Sequence, residues 1–241
     1  MECANNFSTI GPTCVDTSIC VIADTTILDN ILSQNANMTT VVVNSQQQQY
    51  QYLIDGLCNV IAGEQFDIAE SVVRTFGYTG DYALSAGIHS KEPLSVVTRN
   101  NDIQFSDFVN WVIVSLLSAE EFEVTSQTTS PLGTTDIFGP EFANMFANVI
   151  QDVGNYAEIY ERNLAPILPR SIPNQINDGS TGLRYALPLG VLSSMGDGPV
   201  PGGTLETILS RGFLKCGVTE RSFFGRFDPE TQQWSGASII R

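Results

Sequence analysis

The chain has 241 residues, enough for one large domain or two small ones, and its hydrophobic content of 42% suffices for a packed core. Its net charge of −15 argues against nucleic acid or anionic membranes as partners, because both are bound through clustered lysine and arginine. The sequence has one histidine and no Cys-x-x-Cys pair among its five cysteines, so we expect no metal site and no cofactor.

Residues 1–17 are expected to form an irregular lead-in. The opening letters, MECANNFSTIGP, contain neither a basic region nor an apolar core, so no signal peptide is expected in this sequence. No apolar run is long enough to span a bilayer. Cys3 and Cys14 lie in this region, and a role for them in disulfides depends on an oxidising compartment.

The stretch from Ile19 to Asn30 predicts a buried strand over 19–22, followed by a helix that starts near Thr26. A helix that directly follows a strand presents unpaired N–H groups, which suit a carboxylate or a phosphate. Thr25 and Thr26 add two hydroxyl groups at this point. In the alternative interpretation, Asp24, Thr25 and Thr26 only cap the helix. Asp24 favours capping, because its carboxylate would repel an anionic ligand.

Strands and helices continue to alternate up to residue 75. We predict a strand over 38–43, a helix over 46–57, a strand over 58–62 and a helix over 66–75. This alternation predicts a parallel sheet with helices on its faces, and ligands bind such sheets at the carboxyl ends of the strands. Thr25-Thr26 and Glu64-Gln65 both follow strand ends, so we expect them at the same edge.

The second half of the chain is predicted to be mainly helical. Apolar residues at helical spacing indicate a helix over 103–122 and a mostly helical stretch over 139–160 that Gly154 can interrupt. A flexible connector is expected over 191–203. The other predicted elements are a strand over 93–98, a helix over 204–211, a strand over 213–218 and a hairpin over 227–234.

No catalytic motif is present. The sequence lacks a Gly-x-Ser-x-Gly motif, a phosphate-binding glycine loop and a metal-ligand spacing. A lone histidine such as His89 is more often a surface or packing residue than a catalytic base. We therefore expect a protein that is not an enzyme and has no catalytic residues.

Several longer motifs occur in a collinear series: SKEPL at 90–94, Phe108 with Trp111, AEEF at 119–122, VGNYAEIYERN at 153–163 and YALP at 185–188. This series resembles the second half of the bacterial extracellular solute-binding proteins of family 3, the polar amino-acid receptors of ABC transporters, and especially the general L-amino-acid subgroup. The resemblance covers about residues 15–190. It implies an α/β lobe of the periplasmic-binding-protein-like type II fold, with a wound, mostly parallel sheet, flanking helices and an incomplete partner lobe.

Receptors of this family clamp an α-amino acid between two lobes. The resemblance implies that Thr25 and Thr26 bind the ligand carboxylate, and that Glu64 replaces the aspartate that pairs with the ligand ammonium. Glu64 could equally be a solvated loop residue. Cys20 and Cys58 match a cysteine pair of the subgroup, which implies a disulfide; two buried free thiols are the alternative. Asp24 stands where the family has a glycine.

Residues 203–218 and 234–236 resemble the family's mature N-terminus, the start of a first lobe. The predicted organisation is therefore a lead-in at 1–17, a second lobe with a helical tail at 18–190, a linker at 191–203 and a first-lobe fragment at 204–241. Such an order indicates a tandem-array unit, a fragment or a permuted protein. The family's carboxylate-binding arginine belongs to the first lobe, so another copy or missing sequence would have to supply it.

The expected function is an amino-acid-binding module of an ABC transporter, with an L-amino acid and a membrane transporter as partners. By this resemblance the protein works outside the cell or in the periplasm. The alternative is a structural or interaction protein that keeps the fold and does not bind a ligand.

Overall fold

The computed structural model describes residues 17–34, 39–85, 90, 95–128, 132–171, 175, 186–189, 198–217 and 225–235. The chain divides into two compact units, unit 1 over Met1–Leu94 and unit 2 over Ser95–Arg241. Cys3, Cys14, His89, residues 91–94 of the SKEPL motif and Tyr185 of the YALP motif lie outside the described residues. Among the described residues, none of the helices combines the length and apolar character of a membrane span.

Unit 1 contains a parallel sheet whose central strand is β1 (Ser18–Ile22). Strand β2 (Thr39–Val43) pairs with β1 along its whole length, from Ser18↔Thr39 to Ile22↔Val43. The short strand β3 (Val60–Ile61) pairs with the other side of β1, so the order is β2-β1-β3. The middle of β1 is fully buried, as its β-branched apolar sequence predicts. The predicted parallel α/β arrangement is confirmed.

Three helices accompany this sheet: α1 (Thr26–Gln34), α2 (Gln46–Ile54) and α3 (Glu70–Thr75). Helix α2 ends earlier than predicted, just before Gly56, whose φ of 70° is left-handed and stops the helix. Helix α3 begins later than predicted, because residues 65–68 form a turn. In that turn the N–H groups of Asp67 and Ile68 donate to the carbonyl oxygen of Glu64.

Unit 2 is built around α4 (Ile103–Glu121), with α5 (Met145–Val153), α6 (Tyr156–Asn163) and α7 (Thr204–Arg211). A short 3₁₀ turn, Pro140–Phe142, precedes α5. The predicted break at Gly154 is confirmed, since its φ of 83° separates α5 from α6. Strands β4 (Arg226–Asp228) and β5 (Gln233–Ser235) form the predicted hairpin. One buried hydrophobic cluster of this unit contains Phe138, Met145, Phe146 and Leu205.

A buried ion pair connects α4 with the chain beyond α6. The Arg170 guanidinium pairs with the Glu120 carboxylate and lies over the rings of Tyr156 and Tyr160, 5.3 and 5.6 Å from their centroids. Glu120 and the two tyrosines belong to the AEEF and VGNYAEIYERN motifs. These motif residues therefore have a packing role in unit 2.

Two predicted strands are wrong over their described parts. Residues 95–98 of the predicted strand 93–98 form no strand, and Val97 is 90% exposed. Residues 213–217 of the predicted strand 213–218 are also exposed and irregular. Both segments have strand-like sequences, but a strand also needs a hydrogen-bonded neighbour, and sequence propensity does not supply one.

The segment predicted as a flexible connector is packed against α4 where the structure describes it. The side-chain amide of Gln104 donates to the carbonyl of Gly198 (3.1 Å), and its Oε1 accepts from the N–H of Val200 (2.9 Å). Just beyond, Leu205 of α7 is 2% exposed within the core of unit 2. The division into lobe, linker and first-lobe fragment stays a prediction.

Candidate functional site

The candidate site is the carboxyl edge of the sheet in unit 1. Because the three strands are parallel, they all end at this edge, and the loops 23–25 and 62–65 both leave from it. The N–H of Ala23 donates to the carbonyl of Val43 (2.8 Å), and the N–H of Ala62 donates to that of Cys20 (3.0 Å). The topology thus brings the loop with Thr25 and the loop with Glu64 to one edge.

Thr25 caps helix α1. Its hydroxyl donates to the carbonyl of Ile22 (2.7 Å), and its Oγ1 accepts from the N–H of Leu28 (3.3 Å). The hydroxyl proton therefore forms a hydrogen bond within the turn between β1 and α1. For Thr25 this geometry favours the capping interpretation that the sequence left open. Thr26 is the first residue of α1 and is exposed at the edge.

Asp24 has a left-handed backbone, with a φ of 55°. Glycine adopts this conformation freely, and aspartate tolerates it better than most residues. The geometry therefore gives a physical reason for glycine at this position in the family. Asp24 is exposed, so the edge carries a negative charge next to the threonines.

Glu64 begins the turn that leads to α3. Its carbonyl accepts from the N–H groups of Asp67 (2.9 Å) and Ile68 (3.1 Å), and the residue is half-buried. A side chain at Gly63 would lie 2.9 Å from Cγ2 of Ile68, so the chain packs closely just before Glu64. The loop is therefore held by its own turn and by contact with Ile68. The ligand-binding roles of Thr25, Thr26 and Glu64 stay predictions.

Cys20 and Cys58 form a disulfide, with their Cα atoms 5.7 Å apart. Both are buried, at 0% and 1% exposure. The bond links the middle of β1 to the chain just before β3. Cys216 of unit 2 is exposed and has a free thiol.

Two polar side chains of α2, those of Gln49 and Tyr50, are buried, and the burial of Gln49 was not predicted from the sequence. The Nε2 of Gln49 donates to the carbonyls of Cys20 and Ala62, both at 2.8 Å. The hydroxyl of Tyr50 donates to the carbonyl of Asp67 (2.7 Å), and burial raises the pKa of Tyr50. Gln49 belongs to the run Gln46–Gln49, which reads as low complexity. Its spacing from Leu53, four residues on, could have placed it on the buried face.

The described residues contain no group of three or more His, Cys, Asp or Glu side chains arranged to hold a metal ion. The groups that the two loops bring to the edge are hydroxyls, backbone N–H groups and carboxylates. Such groups can bind a ligand that carries both a carboxylate and an ammonium.

The sequence matches no family model. It is similar to two curated proteins at 29% identity: the general L-amino acid-binding periplasmic protein AapJ of Rhizobium johnstonii and the glutamate/glutamine/aspartate/asparagine-binding protein BztA of Rhodobacter capsulatus. Each match covers 71% of this chain and 57% of the relative. The chain thus spans little more than half the length of the curated relatives it matches.

A solved structure is also similar: an ABC transporter/periplasmic binding protein from Brucella ovis with glutathione bound. The TM-score is 0.56 at 26% identity, and the match covers 72% of this chain and 60% of that one. The fold is therefore that of the periplasmic binding proteins. The resemblance found in the sequence is confirmed, because the curated relatives are binding proteins of the amino-acid class.

Proposed function

We propose that this chain supplies one lobe of an amino-acid-binding protein that serves an ABC transporter. The observation that carries the proposal is the shared carboxyl edge, to which the parallel sheet of unit 1 brings Thr25, Thr26 and Glu64. The names of the relatives support it, since they bind amino acids, and the Brucella ovis structure holds glutathione, a peptide with a free α-amino acid group.

Each group at the edge has a distinct role in this proposal. The N-terminal N–H groups of α1 and the Thr26 hydroxyl bind the ligand carboxylate. Thr25 keeps the turn in shape through its cap, and Glu64 pairs with the ligand ammonium through a charge-assisted hydrogen bond. Glutamate is one methylene longer than the aspartate of the family, so the pocket differs in depth from that of the relatives.

Binding by a complete clamp also needs a first lobe. The match covers 57% of each curated relative, which is less than a complete two-lobed receptor. In this proposal a second copy or further sequence supplies that lobe, a membrane transporter receives the ligand, and the protein acts in the periplasm or outside the cell. The protein binds its ligand without catalysis, as transport-binding relatives do.

The second candidate is a protein that keeps this fold for a structural or interaction role. Two observations favour it: Asp24 places a carboxylate beside the edge, and the hydroxyl of Thr25 is engaged in the cap. A carboxylate next to the threonines weakens the binding of any anionic group there. The two candidates differ in whether an amino acid stabilises the protein.

A thermal-shift screen of the full chain tests the proposal. The probes are the common L-amino acids, ornithine and glutathione. A binding ligand raises the free energy of unfolding by RT ln(1 + [L]/Kd), about 2.7 kcal/mol at a hundred times Kd, and so raises Tm. Thr26→Ala and Glu64→Gln should abolish the shift. Thr39→Ala, at the opposite end of the sheet, and Glu70→Gln, on the exposed side of α3, are matched controls that should keep it.

The outcomes separate the candidates clearly. A shift that disappears in the two edge variants and persists in the controls supports amino-acid binding. Calorimetry of the same ligand then gives Kd and stoichiometry. If no probe shifts Tm at millimolar concentration and Thr26→Ala behaves like the parent, the fold has a structural role.

A further inference from the structure

Gln49 is a buried amide at the same edge of the sheet. Its side chain is 1% exposed, although it belongs to a run of four glutamines. The two protons of its single NH₂ group reach two different carbonyl oxygens at 2.8 Å, one on Cys20 in β1 and one on Ala62 after β3. One side chain of α2 thus connects two neighbouring segments of the sheet.

These bonds lie where the pairing between β1 and β3 ends. The ladder consists of Ile19↔Val60 and Cys20↔Ile61, and the N–H of Ala62 adds one bond to Cys20. The next acceptor along the chain is the carbonyl of Ala62, and Gln49 donates to it. The amide therefore extends the ladder by one step, directly before Gly63 and Glu64.

The other end of β3 is held by a different device. The Cys20–Cys58 disulfide fixes the chain just before β3, while Gln49 fixes it just after. Since β3 has only two residues, its own ladder gives limited support. The disulfide therefore holds the chain before β3 and the Gln49 amide holds the chain after it. Of the two links, the Gln49 amide is nearer to Glu64 along the chain.

We propose that Gln49 is a positioning residue of the amino-acid site. It does not contact the ligand; it holds loop 62–65 against β1 and so sets the place of Glu64 relative to Thr25 and Thr26. This inference rests on the proposed function, because it assigns Gln49 a role in that site. A ligand held by two loops at once is sensitive to displacements below 1 Å, so the link between the loops controls affinity.

The test compares Gln49→Met, which keeps length and volume without donors, and the isosteric Gln49→Glu with the parent. Gln51→Met is the matched control: Gln51 lies on the same helix, is exposed and donates only to Asp55 among the contacts described. Kd for the amino acid that stabilises the parent is measured by calorimetry at a temperature where all variants are folded. Amide hydrogen exchange of segments 18–22 and 62–65 is measured without ligand.

We expect Gln49→Met and Gln49→Glu to weaken binding roughly ten- to hundredfold, the range seen when residues that orient metal ligands are removed. Exchange should rise in 62–65 and stay protected in 18–22, and Gln51→Met should match the parent in both measurements. A merely structural role would lower Tm and leave Kd of the folded protein unchanged. That result overturns the proposal, and so does failure of both Gln49 variants to fold.

Failure of the proposed function is recognised separately. If the parent binds no probe, the function fails, and hydrogen exchange alone decides about Gln49. A local rise at 62–65 then still shows that Gln49 holds this loop, whereas a uniform rise or no change contradicts it.

Discussion

Asp24 combines a left-handed backbone with a charge at the candidate site. Replacing it with glycine removes the clash of Cβ that this φ imposes on an L-residue, which costs about 1 kcal/mol. We expect Asp24→Gly to stabilise unit 1 by at most that amount, because glycine also gains freedom in the unfolded chain. Urea denaturation followed by circular dichroism measures the change.

Asp24→Asn is the control that separates backbone from charge. Asparagine tolerates the same φ and has no carboxylate, so its effect on ligand affinity reports the charge alone. We expect both variants to bind amino acids more tightly than the parent. Lower stability of Asp24→Gly than of Asp24→Asn would contradict the backbone argument.

The contribution of the Cys20–Cys58 disulfide to the stability of unit 1 can be tested by removing the bond. It closes a loop between residues 20 and 58, so its removal should lower the free energy of unfolding by about 2–4 kcal/mol. Cys20→Ala with Cys58→Ala, or reduction by dithiothreitol, should increase amide exchange in 18–22. Cys216→Ser, at the exposed free thiol, should change neither exchange nor stability. Equal exchange in oxidised and reduced protein would refute the expectation.

Helices α4 and α7 share one capping carboxylate, Asp102. Its Oδ1 accepts from the N–H of Phe105 (3.2 Å), and its Oδ2 accepts from the N–H (2.9 Å) and hydroxyl (2.5 Å) of Thr204. Asp102 therefore satisfies donors at the start of both helices, 102 residues apart in sequence. Hydrogen bonds from the Thr204 hydroxyl and backbone, together with that from Phe105 and the nearby Arg99, hold its pKa below the usual value.

Asp102→Ala should destabilise unit 2 by about 1–2 kcal/mol, at the upper end for loss of an N-cap, because two helices lose a partner. Trp111 of α4 offers a fluorescence signal for urea unfolding of this unit. Asp107→Ala, an exposed position on the same helix, is the control and should stay close to the parent. A similar loss in both variants would show that the shared cap is unimportant.

Elements whose two ends are marked by neighbouring residues could be predicted from the sequence. Helix α7 was predicted with its observed bounds, because apolar spacing and flanking Gly203 and Gly212 mark both ends. The alternation of strands and helices likewise predicted the edge that carries Thr25 and Glu64. Segments 95–98 and 213–217 were mispredicted as strands, since strand formation depends on distant partners. The role of Gln49 depends on carbonyls that are 29 and 13 residues away, so the sequence indicated only its helical face.

At the scale of the whole molecule, charge dominates. The net charge of −15 at neutral pH produces self-repulsion in the folded chain, and protonation towards the isoelectric point near 4.2 relieves it. The carboxylates of Asp102 and Glu158 have the opposite effect, because their protonation at low pH destabilises the folded chain. Burial tends to raise the pKa of Glu158, but hydrogen bonds from Ser126 and Asn155 outweigh it and hold that pKa below the usual value, as for Asp102.

The signs of these effects predict a stability profile with a maximum at mildly acidic pH. A carboxyl group whose pKa is lower in the folded than in the unfolded chain stabilises the folded chain at pH values above its unfolded pKa, which is about 4. This contribution is lost as the pH falls through the pKa of the folded state. Between about pH 7 and 5 the Asp102 and Glu158 contributions therefore stay intact while repulsion declines, so Tm should rise. Below about pH 4 both contributions disappear and Tm should fall.

Sodium chloride should raise Tm at pH 7 more than at pH 5, because it screens the same repulsion between carboxylates. Asp102→Asn should show a shallower acid loss than the parent, and a steady fall in Tm from pH 7 to 5 would contradict the dominance of net charge.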